Sequence, residues 1–186
     1  MKNLLKFSEL QLLLIIAWLS LFSLNEALTS LLPYKDYIAL IFLPAGFKII
    51  CACLLRWQCF LGLFIGSIIT GLIYLNESNT HHLWVFSFFS ALMPIIVVLM
   101  IDYLCNLGFK LSEINLQKII LIAVLYALLS SVMHNSYLLW LGEISLIEYQ
   151  QDSLAMFIGD MTGTLIFLTV LSYYRAPLIK IANKYL

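Results

Sequence analysis

Apolar residues fall along this chain in six blocks, roughly 8–32, 36–55, 58–75, 82–105, 117–141 and 153–174, with short polar breaks between them. Each block holds about 20 residues, and an α-helix rising ~1.5 Å per residue crosses a hydrocarbon core of ~30 Å at that length. The pattern predicts an all-α, polytopic membrane helix bundle of six transmembrane helices. The blocks fill nearly all of the 186 residues, so residues 1–186 read as a single transmembrane domain with no room for a soluble catalytic or nucleic-acid-binding unit. Lys2 and Lys6 ahead of Leu10–Leu24 imitate the start of a secretory signal, but Ser23-Leu24-Asn25-Glu26-Ala27 offers no small-x-small cleavage site. The first block is therefore expected to stay as a span. Beyond the last one, Pro177 halts the helix, and Leu178, Ile181, Ala182 and Tyr185 recur at helical spacing opposite Lys180 and Lys184, which predicts an interfacial amphipathic tail over 177–186.

Composition agrees with a membrane solvent. The chain is 63% hydrophobic and 11% charged, against about 25% charged residues in soluble domains. Orientation follows from the cations, because cytoplasmic loops carry the excess of Lys and Arg. With the N-terminus inside, Lys2, Lys6, Arg56, Lys110, Lys118, Arg175, Lys180 and Lys184 face the cytoplasm and Lys35 alone faces out. That predicts N-in, C-in. The outer connections carry Glu77, Glu143, Glu148 and Asp152 instead. Cys51, Cys53, Cys59 and Cys105 all fall in or at the inner ends of spans, where small apolar filler suits them better than disulfides.

One cation falls outside this scheme. Lys48 sits twelve positions into the second block, and a charge at membrane depth persists where it faces a bundle interior and has a partner. Other spans supply candidates. Glu26 with Asn25, His134 with Asn135, and Asp160 each lie six or seven residues below the outer end of their span, ~10 Å deep at helical rise. Lys48 is deeper, and its stem can reach up toward that layer. Just above it, Pro44-Ala45-Gly46 predicts a kink or unwound stretch inside the second span, because proline removes a backbone hydrogen bond. These residues define a candidate ligand-binding site, Lys48, Asp160, Glu26, His134 and Asn135, for a small polar ligand or a proton. A buried structural pair of Lys48 with Asp160 or Glu26 is the alternative reading. Gly62 with Gly66, and Gly159 with Gly163, are small-x-x-x-small pairs that allow close helix approach, and they predict central positions for the third and sixth spans.

Catalytic and cofactor patterns are missing from the sequence. There is no nucleophile elbow, no H-E-x-x-H, no phosphate-cradling loop and no Cys/His ligand set; His81-His82 has only Glu77 nearby. The expectation is a non-enzyme with no cofactor and no metal.

Two segments carry a resemblance. Phe42-Leu43-Pro44-Ala45-Gly46-Phe47, then Arg56-Trp57 and Gly62-Leu63-Phe64-Ile65-Gly66-Ser67, resemble the proline–small–glycine and G-x-F-x-G stretch of the MASE1 family of bacterial membrane sensor domains. Gly159-Asp160-Met161-Thr162-Gly163 is similar to the G-D-x-x-G of a later span of that family. The resemblance implies a multi-pass bacterial inner-membrane sensor, with Pro44, Gly46, Gly159, Asp160 and Gly163 near its functional centre. Family members have more spans and precede a cyclase or kinase, whereas this chain shows six blocks and a short tail. A separate cytoplasmic output protein is therefore the expected partner beside the lipid bilayer. Six spans with both termini inside also resemble the substrate-binding subunits of energy-coupling-factor transporters, which would make transporter subunits the partners, although the first span lacks their A-x-x-x-A docking face.

Overall fold

The structure, a computed structural model, describes residues 2–29, 33–35, 38–74, 82–105 and 116–173. It is helical apart from one small strand pair. In order come α1 (Lys2–Thr29), β1 (Pro33–Lys35), β2 (Ile38–Ala39), α2 (Leu43–Leu55), a 3₁₀ turn (Arg56–Cys59), α3 (Phe60–Tyr74), α4 (Leu83–Cys105), α5 (Leu116–Leu141) and α6 (Leu146–Tyr173). The strands pair antiparallel, Pro33 with Ala39 and Lys35 with Ile38. The expected tail at 177–186, together with His81, Glu77 and Lys110, lies outside the described residues.

Among the described residues, five helical stretches are long and apolar enough to cross a membrane: Leu5–Thr29, Leu43–Tyr74, Leu83–Leu104, Gln117–Leu141 and Leu146–Leu171. The second of them covers two expected blocks, and its halves run in opposite directions. Against α1, α2 is antiparallel: Asn25 meets Leu43, Phe22 meets Phe42, and Trp18 meets Lys48. Along the same helix α3 is parallel, with Gln11 on Gln58, Trp18 on Thr70 and Ser23 on Tyr74. The reversal falls at Arg56, whose φ of 50° and ψ of −127° break the helix. Such a backbone suits glycine, and here Arg56 Nη2 holds it by donating to Asp102 Oδ2 at 2.8 Å.

Local sequence explains the other boundaries. Gly142, at φ +76°, ends α5, with Glu143 N–H bonding Leu138 O and Gly142 N–H bonding Leu139 O, the pattern of a left-handed helix stop. Ser145 and Glu148 then cap each other's backbone N–H at 3.3 and 2.8 Å, a capping box. Helix α6 therefore starts at Leu146 rather than at Ser153, and Glu148 and Asp152 belong to its first two turns rather than to a loop. Trp84 near the start of α4, Trp140 near the end of α5 and Trp57 at the turn are largely exposed, as ring systems of a membrane interface are.

Two expectations need correcting. Central position belongs to α2, which packs on α1, α4, α5 and α6 and buries Leu43, Ala45, Gly46, Lys48, Ile49 and Ala52. Helices α3 and α6 flank the bundle, with Leu72 and Ile73 of one and Leu165 and Ile166 of the other exposed. The second block is also not one kinked helix over 36–55. Pro44 is the second residue of a 13-residue helix, where its missing N–H costs nothing, and the chain before it, from Ile38 to Phe42, is non-helical.

Candidate functional site

At about 20 Å, thirteen helical residues are shorter than a bilayer core, and the run ahead of them from Ile38 to Phe42 is non-helical. Backbone polar groups at membrane depth need protein partners, and α6 provides them. Phe42 N–H donates to Gly159 O at 3.0 Å, and Thr162 Oγ1 lies 2.8 Å from Leu40 O. Asn25 of α1 serves the start of α2, its Oδ1 accepting from Leu43 N–H at 2.8 Å. Pro44 has no N–H, and Ala45 N–H bonds Phe42 O at 3.1 Å. The orphan donors of this buried helix start are thus largely answered.

The glycine pair of α6 makes this approach possible. A Cβ on Gly159 would overlap the Ala39 carbonyl, and one on Gly163 would overlap the carbonyl of Phe42. These residues seat an unwound strand of backbone, not a neighbouring helix. Gly62 and Gly66 do play the helix-packing part: a Cβ there would come within 2.8 Å of Leu14 and Trp18 of α1. Gly46 gives room to Phe167 in the same way.

Lys48, five residues after Leu43, points back toward the helix start, as the tilt of helical side chains dictates. Its Nζ stands 5.1 Å from the ring centroids of both Trp18 and Phe42 and 5.8 Å from that of Tyr126. The ammonium is therefore enclosed by three aromatic faces. Trp18 is fixed in turn by its indole N–H on Thr70 Oγ1 at 3.2 Å. Asp160 is the carboxylate that acts on Lys48 electrostatically. Among the described residues Arg56 and Asp102 form a short ion pair at 2.8 Å, and His82 Nε2 lies 3.0 Å from Glu143 Oε1; Lys48 and Asp160 interact over a longer distance. Both are buried, at 4% and 2% exposure.

Of the other expected site residues, Asn135 is buried and donates to Ser131 O at 2.8 Å, with Met156 Sδ of α6 at 3.9 Å. His134 Nδ1 lies 2.8 Å from Ser130 O, and its ring sits between Phe86 and Phe89 of α4. Both are one turn above Ser130. Glu26 is half-buried, and it is the neighbouring Asn25 that enters the cluster. The sequence reading missed Trp18, Phe42, Tyr126, Ser130 and Thr164. Its available signal was spacing: Tyr126 and Ser130, and likewise Asp160 and Thr164, are four apart and so share a helix face. Cys51, Cys53 and Cys59 are free. A shallow groove of about 320 Å³, lined by Ala17, Ser20, Leu21, Leu24, Phe47 and Phe167, opens beside Phe47. It is apolar and separate from the Lys48 cluster.

The MASE1 family model matches residues 9–180, a stretch that holds both motifs and every residue of the cluster. No curated protein and no solved structure matches the chain.

Proposed function

The chain belongs to the MASE1 family of membrane-associated sensory domains, and from that premise we propose that the Lys48–Asp160 cluster is its sensing centre, responding to a small polar ligand or a proton. The observation that carries the reading is an ammonium in a three-ring enclosure at the start of a discontinuous helix. Broken helices at membrane depth are where membrane proteins hold charged ligands, because a helix end places its dipole there.

In this reading the chain crosses the bacterial inner membrane six times with both termini in the cytoplasm. The cation distribution supports that orientation, and the reversal at Arg56 within Leu43–Tyr74 supports reading that segment as two crossings. Helix α2 then links the two ends of the mechanism. Lys48 stands near its outer start, and Arg56, paired with Asp102 of α4, stands at its cytoplasmic end. A change in charge at Lys48 shifts a rigid helix of three to four turns, and the turn at Arg56 presents that shift to a separate cytoplasmic output protein.

Hydrogen exchange in nanodiscs tests this. Protection of the Arg56–Cys59 turn should change with pH on the outer side in the parent protein and stay constant in Lys48→Met. An equal response in both proteins would refute Lys48 as the sensing group.

A further inference from the structure

Helix α4 is pinned at both ends, and the two pins differ in kind. Near its end Asp102 pairs with Arg56 at 2.8 Å, and just before its start His82 Nε2 lies 3.0 Å from Glu143 Oε1. About 30 Å of helix separates them at ~1.5 Å per residue. A guanidinium is charged at every pH a cell meets, so the Arg56 pin is permanent. An imidazole changes charge between about pH 5 and 8, so the His82 pin is conditional. Glu143 belongs to the turn that ends α5, where its own N–H bonds Leu138 O and Gly142 N–H bonds Leu139 O. A second contact completes the arrangement: His82 Nδ1 stands 3.4 Å from Tyr137 Oη of α5. Both ring nitrogens of a buried histidine are thus engaged, while the Glu143 side chain is 46% exposed and open to water.

We infer that His82, Tyr137 and Glu143 form a proton-binding site at the outer end of the bundle, which latches the start of α4 to the α5–α6 turn when the imidazole is charged and slackens when it is neutral. The inference needs no role for Lys48. A carboxylate only accepts hydrogen bonds, so in neutral His82 the hydrogen sits on Nε2 and Nδ1 accepts from the Tyr137 hydroxyl. A proton taken from outer water adds at Nδ1, and Tyr137 turns its oxygen to accept from it. No hydrogen bond is lost in either state, but the contact with Glu143 becomes an ion pair on protonation. Because Glu143 is half in water, the gain is modest. On the elements next to this end of α4 the other ionisable groups are His134 on α5, Glu148 and Asp152 on the first two turns of α6, and Tyr74 at the end of α3, which bonds Ser23. Inward, Phe86 lies one turn after His82, and its ring packs on His82, Tyr137 and His134 at centroid distances of 5.8, 5.9 and 5.4 Å. Tightening the latch therefore presses α4 onto the face of α5 that leads down to Ser130.

Ring-nitrogen shifts of isotope-labelled histidine in nanodiscs read the site directly, with His81→Asn leaving His82 and His134 as the two reporters and His82→Gln assigning the signal. His82 should be the Nε2–H tautomer at about pH 8 and doubly protonated at about pH 5. An Nδ1–H tautomer at the higher pH, or a single ring proton at both, would overturn the site. Exchange of the Gly142 and Glu143 amides, corrected for the intrinsic rate at each pH, measures the latch. Protection in the parent should be about three- to fivefold higher at the lower pH. Glu143→Gln keeps an acceptor for Nε2–H and should remove that difference, as should His82→Gln, whereas Lys48→Met and His134→Gln should retain it. A parent without the difference, or a Glu143→Gln that keeps it, would overturn the latch. Its loss in His134→Gln or Lys48→Met would also overturn it, by moving the proton to that residue. A latch intact in Lys48→Met, beside an Arg56–Cys59 turn that still answers to pH there, refutes the Lys48 centre alone.

Discussion

Replacing Lys48 by Met and Asp160 by Asn, singly and together, should reveal a large and lopsided coupling. Methionine keeps the lysine's stem length and removes the ammonium, leaving the Asp160 carboxylate uncompensated at 2% exposure with Oδ2 already lacking a partner. Stranding one charge of a buried pair costs roughly 3–5 kcal/mol. Since these two charges interact without direct contact, the lower end applies, about 3 kcal/mol for Lys48→Met. Asp160→Asn strands the ammonium instead, but the three rings still enclose it, and a desolvated cation–π contact is worth about 1–2 kcal/mol. That substitution should cost nearer 2 kcal/mol (roughly 3 less the ring contribution). In the double variant no charge is stranded, and what remains is the lost ring contact and imperfect packing, about 2 kcal/mol. The coupling is then about 3 kcal/mol, against the ~0.5 kcal/mol within which independent sites add. SDS titration in mixed micelles, with helix content as the readout, measures all three. A coupling under about 0.5 kcal/mol, or an Asp160→Asn more damaging than Lys48→Met, would refute the reasoning.

Gly163→Ala and Gly159→Ala should destabilise by about 3 kcal/mol or more, because the added methyl meets backbone that cannot turn aside, while Gly62→Ala, which meets the Leu14 side chain, should cost nearer 1–2 kcal/mol in the same titration; equal losses would argue against the seated backbone. Asn25→Ala should cost about 2 kcal/mol by leaving Leu43 N–H unpaired, with faster hydrogen exchange confined to the first turn of α2; an unchanged Leu43 would remove Asn25 as the cap. Arg56→Gly should change stability by less than about 1 kcal/mol, since relief of a glycine-type backbone offsets a half-exposed ion pair; a loss above about 3 kcal/mol would show that Arg56 does more than hold the turn. A cysteine introduced at Gln151 should be labelled by an impermeant thiol reagent from outside and one at Gln58 only from the cytoplasm; the reverse pattern would invert the proposed orientation.

Much of this architecture is readable from the chain because membrane solvent leaves few options: apolar blocks of about 20 residues must be helices. Asp160 and Lys48 were found by the same physics, since a charge in such a block has to face inward. The break at Pro44–Gly46 was visible, but its form was not. Proline is compatible with either a kink or a helix start, and what decides between them is remote: Asn25 from α1 and Gly159 from α6 supply partners to the unwound backbone. The role of Gly159 and Gly163 was hidden for the same reason. A small-x-x-x-small pair tells how closely something approaches and not whether it is a helix or an extended strand. Trp18 and Tyr126 look like ordinary core in sequence, because only the backward tilt of the Lys48 stem makes them neighbours of a charge. The capping box at Ser145–Glu148 was a local signal available from the outset, and reading it would have moved the start of α6 outward by two turns.

The position of Lys48 relative to its own helix sets which of the two charges is the movable one. A helix start carries partial positive charge, which stabilises a nearby anion and opposes a nearby cation, with the effect concentrated in the first turn. Asp160 lies between Gly159 and Gly163, the two residues that touch the backbone leading into α2, so the residue stands beside that positive end. Lys48 folds back to the same end, where Nζ sits 5.1 Å from the Phe42 ring. The dipole therefore supports charge on Asp160 and works against charge on Lys48, and the aromatic rings supply part of what the dipole removes. Between two ionisable groups held in one dry cluster, the one whose charge is opposed by the fixed backbone is the more readily discharged. That asymmetry is built by the break itself: a continuous helix through residues 36–55 would carry its positive end up to the outer surface and leave Lys48 and Asp160 as an ordinary buried pair.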